Sequence, residues 1–360
     1  MKRLLSIFIS IVVFSFYLLP VYAIGENVLS QRELSEIRTI AINMPSVLGY
    51  EHTWSITQET PLYNINDELI AYCIDMKSKD SPSINSYTIV SVKETEFPIL
   101  LFGYKGTSAY LGKRFDRAYY FGTLDFYIKN GNIYQNTRRG ITLTYKQVKG
   151  LFKENDDADT TNYFSTRQRY LGNNRLLLQQ DASKINNGAN LQWRKGCSPT
   201  AVAMLIKTRI PTMGANTLID SLALYMETAS DGSTPLNKVP SGTNSYYANN
   251  TWLTAPTTCG WNSTKSDGSP RTGSLYNSKA SFKTSILAGF PVGVYCSSSN
   301  VTTTGFPNGI GAHMMSGIGY SFGSSGDYII CYTTNTADGE VSFPLTSSGL
   351  NNRAWFWLKW

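Results

Sequence analysis

The sequence predicts an α+β fold in two parts, and three observations predict it. Helical spacing of apolar residues marks a stretch near the N-terminus and another at Ser198–Ile210. Elsewhere the apolar residues fall into short runs rich in Val, Ile and Tyr, bounded by Gly, Asn, Asp and Pro, which is the pattern of strands and turns. The composition agrees: 360 residues with 23 Tyr and 16 Phe, 42% hydrophobic and 16% charged. Such a chain is too apolar to be disordered and too polar for a multi-span membrane protein. Its aromatics, with many Gly, Ser, Thr and Asn, suit a β-rich extracellular protein.

In chain order, Lys2 and Arg3 precede an apolar stretch from Leu4 to Leu19, then Pro20 and Val21-Tyr22-Ala23. This reads as a secretory signal peptide over residues 1–23, too short to span a bilayer comfortably. Its removal takes the net charge from +7 to +5. The pI near 9.0 suits an anionic cell surface, whereas the scattered basic residues are not a nucleic-acid footprint. The densest basic cluster, Lys113 to Arg117, reads as a solvated strand or turn.

Residues 24–150 are expected to form a smaller β-rich unit. A helix is expected over 26–45, with Ser30 and Glu33 spaced as a capping box. A hairpin follows, with Leu62-Tyr63 and Leu69–Ile74 flanking a turn at Asn64–Asp67. SYTIVSV and FPILLFGY are two further strands. His52 beside Trp54 reads as structural or surface. Residues 151–174, with Glu154, Asp156, Asp157 and Asp159 and few apolar side chains, read as an exposed linker and activation site. Residues 175–360 form the second unit: the Ser198–Ile210 helix, long polar surface loops over 228–280, then three strands, FPVGVYC, AHMMSGIGY and YIICYTT.

The five cysteines, at 73, 197, 259, 296 and 331, include no CxxC pair, which removes the commonest zinc and thioredoxin signatures. Outside the cell Cys73, Cys259, Cys296 and Cys331 have the number for two bridges, in three connectivities, leaving one thiol. With only His52 and His313, a multi-His zinc site is excluded. No metal or organic cofactor is called for.

The chemistry concentrates in QWRKGCSPTAVAMLI. Gly196 is expected to turn the backbone so that Cys197 stands at the start of a buried helix, with Ser198 as a cap and Pro199 in the first turn. A thiol there meets the positive end of the macrodipole, which favours thiolate, and Arg194 and Lys195 would add to the effect. His313, in GIGAHMMSGIGY among Gly309, Gly311, Gly317 and Gly319, is the one imidazole in the same half, so nucleophile and base select each other. Asn335 after YIICYTT is a candidate to orient the ring, with Asp338 and Asp327 as rivals. Gln192 is the natural side-chain partner to the Cys197 N–H in an oxyanion hole.

QWRKGCSPTAVAMLI, ILAGFPVGV, GAHMMSGIGY and YIICYTTN resemble secreted bacterial papain-like cysteine peptidases, nearest in pattern to the streptopain-like and bacteriocin-leader-processing groups. The resemblance covers about Leu191 to Asn335. It implies a papain-like domain, with the helix carrying the Cys packed on an antiparallel sheet carrying the His. Cys197 would be nucleophile, His313 general base and acid, Asn335 orienter and Gln192 oxyanion donor. More faintly, the first half resembles the pro-domain of such enzymes. That implies a zymogen whose own N-terminal unit is an intramolecular inhibitor, acting finally on a peptide or protein substrate. Two other readings stay open: a non-catalytic cell-surface or wall-binding protein on the same fold, and an acyl-transferring transpeptidase or transglutaminase.

Overall fold

A computed structural model describes residues 29–94, 97–121, 126–138, 140–151, 164–171, 180–273, 277–297, 312–345 and 353–360. The segment read as a signal peptide lies outside them, as do 152–163 and 172–174 of the expected linker, and Gly309 and Gly311.

Helix α1 (Gln31–Val47) starts at Ser30 with the expected capping box: the Ser30 hydroxyl accepts from the Glu33 N–H at 3.2 Å, and the Glu33 carboxylate accepts from the Ser30 N–H at 2.7 Å. Strands β1 (Trp54–Tyr63) and β2 (Leu69–Ser78) form the expected hairpin. The Asn64 side-chain oxygen closes it by accepting from the N–H groups of Asn66 and Glu68. Strands β3 (Asn85–Ser91) and β4 (Ile99–Tyr104) also match the reading. Strands β5 (Arg117–Tyr120), β6 (Phe126–Asn130), β7 (Ile133–Asn136) and β8 (Thr142–Thr144), with helix α2 (Tyr145–Leu151), were not predicted. The His52 Nε2 lies 3.1 Å from the Tyr104 hydroxyl.

Within the expected linker, residues Phe164–Leu171 form helix α3, packed on α1. Its buried Arg167 donates from Nη1 to the Ser91 carbonyl at 3.0 Å, and its buried Tyr170 hydroxyl donates to the Ser325 carbonyl at 2.9 Å. Two large side chains bonded in this way make Phe164–Leu171 part of the packed fold.

The second half contributes β9 (Gln180–Lys184), α4 (Cys197–Arg209), α5 (Ala215–Tyr225), α6 (Lys238–Asn249), β10 (Thr258–Trp261), α7 (Lys279–Leu287), β11 (Val292–Cys296), β12 (His313–Gly323), β13 (Tyr328–Tyr332), β14 (Glu340–Pro344) and β15 (Arg353–Lys359). The region 228–280, expected as surface loop, therefore holds α6 and β10. The helix escaped sequence reading because KVPSGTNSYYAN carries a proline, a glycine and several weak helix formers.

Among the described residues the strands join in one sheet, in the order β10-β15-β11-β12-β13-β14-β4-β3-β2-β1-β5-β6-β7-β8, with β9 also on β12. Neighbours are antiparallel, except that β1 and β5 run parallel. The two halves are thus continuous: Glu340, Val341 and Ser342 of β14 pair with Tyr104, Gly103 and Phe102 of β4. They also share a core. Tyr87, Leu101 and Tyr110 belong to the same buried cluster as Val294, Met315, Val341 and Trp355, with Phe282 of α7 over that face. On the other face α4, α5 and α6 pack against Tyr295, Met314 and Phe356. Among the described residues the two halves form one mixed α+β assembly.

None of the five cysteines is joined in a disulfide, so the anticipated bridges are not formed. Cys296 on β11 pairs with His313 and Cys331 on β13 with Gly317 on the two sides of β12, so they are set two strand spacings, about 9–10 Å, apart across the sheet and four residues apart along it. A disulfide tolerates a Cα separation of only about 7 Å. Cys73 on β2 and Cys259 on β10 lie far apart in the strand order.

Candidate active site

Helix α4 is buried on every side from Ser198 to Ile206. Its four large apolar residues, Val202, Met204, Leu205 and Ile206, each contribute about 1.5–3 kcal/mol by leaving water. That anchorage fixes the helix N-terminus, where Cys197 is the first residue and is half-buried. Gly196 acts differently from the expectation. Its φ of 169° is ordinary extended backbone, but a Cβ there would lie 2.6 Å from the Gly232 carbonyl oxygen. Ser198 does not cap the helix: the N-cap is Gly196, which supplies no side-chain bond. The positive end of the helix dipole therefore stays uncompensated by a capping side chain, beside the thiol. Arg194 is taken up elsewhere, donating to both carboxylate oxygens of Asp220 on α5 at 2.8 Å.

Helix α4 packs against β11 and β12. A charge on Cys197 is felt by the Tyr295 hydroxyl, which burial already pushes well above the ordinary tyrosine range. Tyr295 pairs with Met314 in the β11–β12 register, and the next pair is Cys296 with His313. The thiol and the imidazole are thus carried by elements that pack together, Cys197 as the first residue of α4 and His313 as the first of β12.

The His313 ring bonds to the turn that follows β13. Its Nε2 is 2.5 Å from the Thr333 carbonyl oxygen and 3.2 Å from the Thr334 hydroxyl. A carbonyl can only accept, so the short bond requires the proton on Nε2 and leaves Nδ1 as the basic nitrogen.

The turn from Thr333 to Gly339 gathers the remaining candidates. Gln192 accepts through Oε1 from the Thr336 N–H at 3.1 Å and the Thr336 hydroxyl at 2.9 Å. The neighbouring Trp193 N–H donates to the Thr334 carbonyl at 2.6 Å. Asn335 caps the short 3-10 turn Thr336–Asp338: its Oδ1 accepts from the Ala337 N–H at 3.2 Å, and its Nδ2 donates to Asp338 at 3.5 Å. Its side chain therefore serves the turn, and the ring nitrogen expected to meet Asn335 meets the Thr333 carbonyl. Asp327 lies at the far end of β12, paired with Lys279, roughly 30 Å of strand from His313. Asp338 is nearer in effect. It is buried and accepts from the Thr333 hydroxyl at 2.6 Å. Burial pushes its carboxyl up, while Arg138, the Thr333 hydroxyl and His313 pull it back down.

Two features of this turn were not legible beforehand. Thr334 has φ +69°, left-handed backbone that a β-branched residue seldom adopts and that costs about 1–3 kcal/mol. The bonds from Trp193, Gln192 and His313 around it explain its persistence. The other feature is Arg138, from the N-terminal half, which forms a buried ion pair with Asp338. Nothing in the local sequence around either residue signals that partnership.

Among the described residues no group of three or more His, Cys, Asp or Glu side chains is arranged to hold a metal ion, and no helix is long and apolar enough to cross a membrane. No curated protein matches the chain. Residues 176–355, half of the sequence and the half that carries Cys197 and His313, match the profile of the Peptidase_C39 like family, and the chain belongs to that family.

Proposed function

We propose that the protein is an exported cysteine peptidase that hydrolyses peptide bonds with Cys197 as nucleophile and His313 as general base and acid. What supports the reading is a thiol at the uncapped N-terminus of the buried α4 helix, which packs against β12, and at the start of β12 an imidazole whose Nε2 is committed to the Thr333 carbonyl. The first feature favours thiolate and the second leaves Nδ1 to exchange protons with it. Contacts between nucleophile and base are often loose before substrate binds and tighten around it.

In this mechanism the Cys197 sulfur attacks the scissile carbonyl carbon. The Cys197 N–H and the Gln192 amide stabilise the oxyanion. Anchoring Gln192 through Oε1 leaves its N–H₂ end for that donation. His313 protonates the leaving amine, then takes a proton from water as the acyl group is released. Export is supported by the basic and apolar character of residues 1–23.

The test is the rate of Cys197 alkylation by iodoacetamide across pH, together with hydrolysis of fluorescein-labelled casein. Wild type is expected to alkylate fast below the ordinary thiol range and to cleave casein. Cys197→Ala should abolish cleavage, and His313→Ala should abolish it and slow alkylation. A thiol no faster than a free cysteine would favour the non-catalytic surface protein, and adducts with an added amine in place of hydrolysis would favour acyl transfer.

A further inference from the structure

We propose that Arg138, in the N-terminal half and outside the family match, is a positioning residue for His313, acting through Asp338 and Thr333. The inference rests on the peptidase reading and adds that the N-terminal half is a working part of the site.

The connection is continuous. The Arg138 Nη2 donates to Asp338 Oδ1, and both side chains are largely withdrawn from water. The same Nη2 donates to the Thr107 carbonyl at 2.7 Å, which fixes the guanidinium. The other carboxylate oxygen, Asp338 Oδ2, accepts from the Thr333 hydroxyl at 2.6 Å. The carbonyl of that same Thr333 holds His313 Nε2. Each link is short, and the two central residues, Asp338 and Thr333, are buried, where an uncompensated polar atom is costly.

The surroundings press the same way. The Thr107 N–H donates to the Ala337 carbonyl at 3.0 Å. Gly106 lies so close to the turn that a Cβ there would sit 2.0 Å from the Asp338 carbonyl oxygen. Gly339, at φ +68°, ends the turn in left-handed backbone against Tyr104. The turn holds Thr334 in a conformation it would not keep alone, so it needs clamps from outside. Gln192 and Trp193 form one, and Thr107 with Arg138 the other. The charged and titratable groups facing Asp338 are Arg138, His313 and Tyr87.

Without Arg138 the Asp338 carboxyl is left buried without its cation, and the Thr333 hydroxyl loses a fixed charged acceptor. The His313 ring should then lose its set position, a displacement that lowers turnover more than binding. The experiment compares wild type, Arg138→Met, Arg138→Lys and Thr333→Val as full chains. It measures casein hydrolysis, the iodoacetamide pH profile of Cys197 and the thermal melt. Arg138→Met is expected to lower kcat about 10–100-fold with KM little changed, and to flatten the part of the alkylation profile that depends on His313. Arg138→Lys should restore part of the loss, since it returns the charge without the planar fork. Thr333→Val keeps the ion pair and cuts the next link, so it should shift the same readouts.

If Arg138→Met fails to melt cooperatively, Thr333→Val decides. Wild-type kcat and pH profile in a folded Arg138→Met or, failing that, in Thr333→Val overturn the proposal while leaving the peptidase reading standing. A wild-type Cys197 that alkylates no faster than in His313→Ala sinks the peptidase reading, and the proposal with it.

Discussion

Asp75 offers a test of the packing that supports the site from beneath. It sits on β2, 2% exposed, and accepts from the Ser108 N–H at 3.1 Å and the Ser108 hydroxyl at 2.7 Å. Burial pushes its carboxyl up to about 6, although the Ser108 bonds and Arg138 oppose the rise. An unfolded aspartate titrates near 3.9. The folded state therefore binds this proton more tightly, and stability falls as pH rises from about 4 to 6. A difference of about two units at about 1.4 kcal/mol each makes the ionised carboxylate cost the fold about 3 kcal/mol at neutral pH. Asp75→Asn keeps an oxygen for the Ser108 N–H and carries no charge. The variant is expected to gain up to about 3 kcal/mol over wild type at pH 8 and almost nothing below pH 4. Urea midpoints of both proteins across this range give the difference, in which the titrations common to both cancel. A difference that stays flat with pH would show that Asp75 is not the group at work. Activity should survive, because Ser108 keeps its place next to Thr107.

Gly106→Ala places a Cβ against the Asp338 backbone, and the overpacking should cost about 1–3 kcal/mol and most of the activity; an unchanged thermal melt would refute that close approach. Asn335→Ala removes the cap on Ala337 and should cost about 1 kcal/mol in a melt while lowering casein hydrolysis much less than His313→Ala does. Equal losses in the two variants would return Asn335 to direct contact with the ring.

The elements that sequence reading located are those whose signals are local. The capping box at Ser30, the Asn64 hairpin and the apolar runs of β3, β4, β11, β12 and β13 each carry their signal within a few residues. Cys197 and His313 stand out as candidates in the sequence because the thiol heads an apolar helix and only two histidines exist. What escaped depends on distant partners. Strands β5 to β8 are four, five, four and three residues long, too short to show a period. Helix α6 contradicts its own propensities and is held by packing on α5 and β10. A partner for the His313 ring was sought among side chains, with Asn335 the natural choice; the bond its Nε2 makes is to the Thr333 backbone carbonyl, which no residue type advertises. The pairing of Arg138 with Asp338 spans 200 positions, and neither residue is set in a motif.

The family match begins at residue 176, yet the physical unit does not. Cutting the chain there would strip β4 from β14 and leave Glu340, Val341 and Ser342 as an open sheet edge. It would also uncover Val341, Phe343 and Met315 where Tyr87 and Leu101 now share their core. The Asp338 carboxylate would lose its cation, a change that costs about 3–5 kcal/mol when a buried pair is broken from one side. These losses fall on the turn that holds His313, so the proposal ties stability and catalysis to the same contacts. An inhibitory segment that only covered a cleft would leave the site's own framework complete after departure. Here Thr107 and Arg138 bond to the turn that holds His313, so on the proposed reading a cleavage between the halves should preserve activity only if the N-terminal half stays bound.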